Sequence, residues 1–296
     1  MNTTSTPGTD LPASGRPAEG ARIIAITSGK GGVGKTLLMD VDLGLANLDV
    51  VLNLQPRRTL HDVFTGRATL DQAVLDAPGD FQVLLAGSGL IEYSRLTPEV
   101  REQFARLLDT VRPRYDRILL DTGAGISDVV LYAISLADDA LVIATPEPTS
   151  LADAYATVKV LGLQQGRASM LLVVNQIQRP GEGRQIATQL QSVIERFVQL
   201  PDGGRIRLQP LGEIPTDASV RQAVQRRQLV MTTFPGSDVA TGIGAHAPRL
   251  AAPQPPGARV PAPAVVALPP DLAPAPEPVR DDDAPAAVPS GAADTA

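Results

Sequence analysis

The chain is 296 residues long, carries a net charge of −6 and contains no cysteine. The acidic balance argues against general electrostatic attraction to nucleic acid, and the missing thiols exclude disulfides and thiolate chemistry, as suits a reducing cytoplasm. No window holds about 18 continuous apolar residues and no basic start precedes an apolar stretch, so neither a membrane span nor a signal peptide is expected.

Residues 1–21 are rich in Thr, Ser, Pro, Gly and Ala, and read as a disordered arm because they cannot bury enough apolar surface to offset ordering entropy. A compact α/β domain is expected over 22–238. It opens with an apolar strand, Ile23–Thr27, followed by Ser28-Gly29-Lys30-Gly31-Gly32-Val33-Gly34-Lys35-Thr36. This run fits the phosphate-binding pattern G-x-x-x-x-G-K-[ST]. Gly29, Gly31, Gly32 and Gly34 would let backbone N–H groups, with that of Val33, point at phosphate oxygens. Lys35 would meet the β/γ-phosphates, and the Thr36 hydroxyl would ligate Mg²⁺. The same letters satisfy the dinucleotide pattern G-x-G-x-x-G, but Lys35-Thr36 directly follow the last glycine and no acidic residue closes a second strand about 20 residues on.

Leu38-Met39-Asp40-Val41-Asp42 comes next, a short apolar run with two carboxylates one residue apart, leading to Asn47 and Asp49. Further strands are expected at Phe81–Leu85, Arg117–Asp121, Ala140–Thr145, Met170–Asn175 and Ile206–Leu211, several apolar throughout as doubly buried strands should be. Helices are expected at Pro98–Val111, Asp128–Leu136, Ser150–Leu161, Arg184–Phe197 and Ala218–Arg227. In the first, Val100, Phe104, Leu107, Leu108 and Val111 recur at helical spacing, behind a Thr97 cap and a proline at the first helical position. The alternation predicts a mostly parallel, doubly wound sheet flanked by helices. Ile118-Leu119-Leu120-Asp121 would deliver a carboxylate to the C-terminal sheet edge, where Mg²⁺ sits, and Gly123 and Gly125 follow in a loop whose backbone can approach a γ-phosphate. His61 and His246 have no companions at ligand spacing. Twelve prolines between Pro253 and Pro289 mark 239–296 as a disordered tail.

One spacing conflicts with this scheme. Lys35 and Asp40 are five positions apart, whereas a parallel crossover needs at least about 10–12 residues including its helix. Thr36 at the C-terminal edge and a strand Leu37–Met39 ending at that edge exclude each other, since such a strand starts about 10 Å lower. The first crossover helix is therefore missing. Two resolutions remain open. Leu37 onward continues from the loop as a helix, with Leu38, Val41, Leu45, Leu48 and Leu52 on one face, or the strand is kept and the phosphate loop is distorted.

Lys30-Gly-Gly-Val-Gly-Lys-Thr36, Asp40–Asp49 and Asp121–Ser127 resemble the MinD/ParA family of deviant Walker ATPases. So do Pro146-Glu147-Pro148-Thr149-Ser150, Val173-Val174-Asn175 and Gly212-Glu213-Ile214-Pro215-Thr216-Asp217. The wording of these motifs is most similar to the FlhG/FleN branch. The resemblance implies a cytoplasmic, ATP-binding and Mg²⁺-dependent ATPase that regulates flagellar number or placement through ATP-dependent dimerisation and hydrolysis. In such a protein Lys30 reaches across the homodimer to the partner's phosphates, Lys35 stabilises phosphoryl charge and Asp42 orients the attacking water. Asp40 lies near the metal, which Thr36 and Asp121 hold directly or through water, and Asn175 with the loop at Pro215 contacts adenine. Implied partners are a second copy of the chain, the flagellar GTPase FlhF and a flagellar transcription regulator. Peripheral inner-membrane association occurs in the family, but the proline-broken tail offers no amphipathic membrane helix. A degenerate non-hydrolysing binding protein and a ParA-type DNA segregation ATPase are the alternative readings.

Overall fold

The computed structural model describes residues 21–26, 35–42, 47–87 and 96–251, all within the unit spanning residues 1–264. Its frame is an eight-stranded sheet, built from β1 (Arg22–Ile26), β2 (Thr36–Asp40), β3 (Val74–Ala77), β4 (Phe81–Leu84), β5 (Arg117–Asp121), β6 (Asp139–Ala144), β7 (Ser169–Ile177) and β8 (Arg207–Pro215). The spatial order is β3-β4-β2-β5-β1-β6-β7-β8. All neighbours are parallel except β3, which pairs antiparallel with β4. Likeness to a doubly wound P-loop fold is thus as the sequence predicts; β3 is the strand that the sequence pattern did not reveal.

Alternating residues of the central strands face opposite layers. Ile23, Leu37, Met39, Ile118 and Leu120 join one apolar cluster with the helices Pro98–Val111, Asp128–Ser135, Pro148–Gln165 and Glu182–Phe197. The Thr97 hydroxyl accepts from Val100 N–H and Pro98 opens the first of these helices, as its sequence requires. Ile24, Leu38, Leu119, Leu141 and Val173 form the second cluster, which includes Leu48 and Leu52 of a short helix ahead of Asn53, together with Leu229 and Leu250. Thr36–Asp40 is a buried strand, so a helix running on from Leu37 is excluded and the strand is kept.

The tail begins later than the expected boundary at residue 239. A helix, Asp238–Ala251, packs along β8 in spite of Pro248 within it. Its glycines and proline disfavour a free helix, and tertiary contact overrides that preference. β8 shifts register against β7 between Pro210 and Gly212. There Arg249 donates to the carbonyls of Pro210 (3.0 Å) and Leu211, and the His246 Nε2 faces both the N–H and the carbonyl of Glu213. Arg22 at the foot of β1 holds the helix end through the Leu250 carbonyl (2.8 Å).

The foot of the sheet is a network of buried charge. Asp138 accepts from Ile23 N–H (2.8 Å) and from Arg112, and Asp139 pairs with Arg22 at 2.6 Å. Arg167, only 3% exposed, donates to the carbonyls of Ile134, Ala137 and Asp138, which closes the end of the helix Asp128–Ser135. Arg167→Ala removes one donor from each of these carbonyls, of which Ile134 keeps the Ala137 N–H, and leaves a buried gap, so urea unfolding should read a loss of ~2–4 kcal/mol.

Candidate functional site

The C-terminal edge of the sheet is defined by register. Asp40 of β2 stands opposite Asp121 of β5, and Ile26 of β1 stands opposite Asp121 from the other side. The Val41 N–H donates to the Asp121 carbonyl at 2.9 Å, so the chain leaves β2 still tied to β5. It then turns back, and the Asp42 N–H donates to Asp40 Oδ1 at 3.1 Å. Two carboxylates one residue apart thereby converge at the strand end, joined by the one from the neighbouring strand.

Asp40 is 2% exposed and its Oδ2 is buried with no hydrogen-bond partner. Burial pushes its carboxyl up to about 7, and the negative charges of Asp121, Asp42 and Asp49 act in the same direction against the Asp42 N–H. Asp49 is a contributor that the sequence motif alone did not single out; it lies in the first turn of the helix Leu48–Leu52. The loop after Asp121 closes over the other side. Gly123 lies against the Asp42 carboxylate, and a Cβ there would come within 3.1 Å of its atoms. Gly125 has φ +93° with open space on its side-chain face, a backbone conformation that glycine adopts freely and that leaves room for a close approach. The Ser127 hydroxyl then caps the helix Asp128–Ser135.

Asn175 and Pro215 are also brought together. Asn175 pairs with Ile214 and Ile177 with Pro215 at the C-terminal ends of β7 and β8, with a bulge at Gln176, whose φ is +60°. The Asn175 Oδ1 accepts from the Gln176 N–H at 2.9 Å. Asn175 on β7 lies four strand positions from β2 and Pro215 on β8 five, roughly 19 and 24 Å away at ~4.8 Å per strand.

Lys35 and Thr36 are elsewhere. Thr36 stands opposite Arg117 at the start of β5, four residues below Asp40, or roughly 13 Å at ~3.3 Å per residue. It is 4% exposed, packed into the sheet at the N-terminal edge. The Lys35 backbone is tied to Asp116 twice: its N–H donates to the Asp116 side-chain Oδ2 and its carbonyl accepts from the Asp116 N–H, both 2.8 Å. Its ammonium lies 5.3 Å from the centre of the Tyr115 ring. The expectation that Lys35 and Thr36 share an edge with Asp40 and Asp121 is corrected here, because a residue that starts β2 cannot also stand where β2 ends. Gly29, Lys30, Gly31, Gly32, Val33 and Gly34 lie outside the described residues.

The donor set fits Mg²⁺ in part. The orphaned Asp40 oxygen and the adjacent Asp121 suit a divalent cation. No group of three His, Cys, Asp or Glu among the described residues can hold a metal by itself, and the hydroxyl and ammonium that should complete the site are on the far edge.

No protein-family model matches the chain. It is 36% identical over 246 aligned positions to the antiactivator FleN of Pseudomonas aeruginosa, covering 77% of this chain and 86% of that protein. Those positions outnumber the residues that 77% of this chain supplies, so the alignment opens gaps on its side. The flagellum site-determining protein YlxH of Helicobacter pylori is 27% identical over 72% of this chain and 76% of its own length. In fold, the chain matches the septum site-determining protein MinD of Pyrococcus horikoshii, solved with Mg-ADP, at a TM-score of 0.58 and 23% identity, over 78% of this chain and 96% of that one.

The raised value of Asp40 sets a pH test. In the unfolded chain the carboxyl ionises near 3.8, in the folded one near 7. The neutral carboxyl's contribution to stability is therefore complete below pH 4 and lost as pH rises to about 7. Asp40→Asn stays neutral throughout. Its stability relative to the parent should grow across that window, by up to ~4 kcal/mol, in urea unfolding at stepped pH.

Proposed function

This chain belongs to the MinD/ParA family of P-loop ATPases, with FleN among its relatives, and we propose that it is a FleN-like flagellar regulator that acts by binding, without turning ATP over. The observation that carries this reading is the register of β2: Thr36 pairs with Arg117 while Asp40 pairs with Asp121. Phosphoryl transfer is catalysed almost wholly by position and charge. A lysine and a threonine roughly 13 Å below the carboxylates cannot act on phosphates beside them. Gaps in the alignment with FleN support loss of a segment on this chain's side.

The family's ligand is Mg²⁺-ATP, and part of its site survives. Asp40 and Asp121 would hold the cation, which supplies charge to offset that of the phosphates. Asn175 and Pro215 would flank the adenine. Asp42, fixed by its N–H bond to Asp40 and by Gly123 behind it, is the carboxylate that would face an attacking water only if the lysine and threonine were brought to the same edge. ATP-dependent pairing of two copies, with Lys30 reaching across, belongs to the same scheme and would be lost with the loop's position. Flagellar partners, FlhF or a transcription regulator, would then be met by surfaces independent of turnover. Among the described residues no helix is long and apolar enough to cross a membrane.

Restoring the crossover tests this. A helix–turn–strand segment of roughly 15–20 residues inserted between Thr36 and Leu37 would let Thr36 stay at the C-terminal edge while Leu37–Asp40 keeps its place in the sheet. ATP turnover of the insertion variant should exceed that of the parent by ~10²-fold or more. Lys35→Ala and Asp42→Ala should each abolish the gain, and Lys35→Ala should leave the parent's negligible rate unchanged. Equal hydrolysis by parent and insertion variant, lowered in both by Asp42→Ala, would show that the parent is a working ATPase.

A further inference from the structure

We propose that the groove between the helix Leu48–Leu52 and the elbow that follows helix Ala218–Gln225 docks an acidic amphipathic helix of a protein partner. The groove has a volume of about 530 Å³ and is floored by Leu52, Leu54 and Leu229, with Arg227 on its rim. That size takes a few aliphatic side chains. Leading into it along Ala218–Gln225 are Val220 and Val224, 38% and 52% exposed, at the i, i+4 spacing that puts both on one helix face. Met231, 38% exposed, follows in the short helix Val230–Thr233. The groove itself is mixed, with Asn53, Gln228, Thr232 and Thr233 beside its leucines. An exposed apolar stripe that ends in such a groove is a form that receives the i, i+3, i+4, i+7 side chains of an amphipathic helix together with its polar flanks.

The charge around this stripe points to the partner's chemistry. Arg221, Arg226 and Arg227 cluster here on a chain of net charge −6. No ion pair holds any of the three among the described residues; Arg226 lies over the Phe234 ring instead. A basic and apolar surface on an acidic protein complements an acidic and apolar ligand. The concavity favours a helix over an anionic lipid surface, because a bilayer meets the convex Val220–Val224 stripe but does not reach the floor at Leu52 and Leu229.

Arg227 supplies an independent sign. It occupies the residue after the helix C-cap with φ +52°, while Arg227 N–H bonds to the Val224 carbonyl and Gln228 N–H to the Ala223 carbonyl. This is the Schellman ending, whose left-handed position glycine fills without strain. An arginine there carries a local conformational penalty, and what it brings is a guanidinium at the groove rim.

The test uses the full chain and labelled helical peptides of roughly 18 residues, with a leucine stripe and glutamates elsewhere. The glutamate peptide should bind by fluorescence anisotropy and weaken with added salt. Arg227→Gly and Val224→Glu should each weaken it ~10-fold. Arg227→Gly removes the backbone penalty, so its Tm should equal or exceed the parent's, which separates lost docking from lost fold. A lysine version of the peptide should not bind, and phosphatidylglycerol vesicles should not sediment the chain. The proposal is overturned if the glutamate peptide fails to bind, if both variants bind it as the parent does, or if the lysine peptide binds equally. It is also overturned, in favour of a lipid-facing surface, if vesicles sediment the parent and release the two variants.

Discussion

Nine residues separate Ile26, which ends β1, from Thr36, which begins β2, and both strands pair in parallel with β5 between them. Those nine must join the top edge of the sheet to its bottom edge and cross two strand positions. Fully extended they reach about 30 Å, which suffices for the span of roughly 16 Å between the two points. Whatever path they follow, Thr36 ends it at the bottom. Sheet burial decides the matter: Leu37, Leu38 and Met39 are buried between two apolar layers, and moving them off the sheet to keep Thr36 at the top would forfeit ~1.5–3 kcal/mol for each side chain. Strand pairing wins over loop position.

The consequence at the top edge is an excess of negative charge. Asp40, Asp42 and Asp121 meet there, and the ammonium that should stand among them is over the Tyr115 ring at the other end. Removal of Asp40 from water, reinforced by its acidic neighbours, is why its carboxyl resists ionisation. Its unpartnered oxygen is the kind of buried polar atom that a folded protein retains for a ligand. Among the described residues the edge keeps the acids that a nucleotide site uses, and the Lys35 ammonium is not with them.

At the bottom edge the opposite holds. Arg22, Arg112 and Arg167, the last of them buried, are matched by Asp138, Asp139 and helix-end carbonyls, although the Arg112 Nε is left without an acceptor among the described residues. The same network reaches the Leu250 carbonyl and so fixes the last helix, which also seals the bulge of β8 through His246 and Arg249. Opposite charges meet at this end of the sheet, whereas carboxylates gather at the other.

Much of the architecture was legible in the chain. Apolar runs such as Ile118–Leu120 and the spaced apolar face of Pro98–Val111 reported their elements because burial on two faces or on one imposes those periods. Asp121 was legible as a candidate because it ends an apolar run that reads as a strand, whereas the run before Asp40 and Asp42 also fitted one face of a helix, and only its burial in the sheet settled its form. Other features were hidden for physical reasons. The helix Asp238–Ala251 carries glycines and a proline, and its stability comes from β8, which is distant in sequence. Arg167 looks like any surface arginine until three carbonyls from another segment converge on it. The sequence by itself determined that a phosphate-binding loop and a second strand compete for the residues at Lys35–Asp40, since chain length between two points is a property of the sequence. Which competitor prevails only the tertiary structure decided, because the energy of burying Leu37–Met39 between two layers exists only once those layers have assembled.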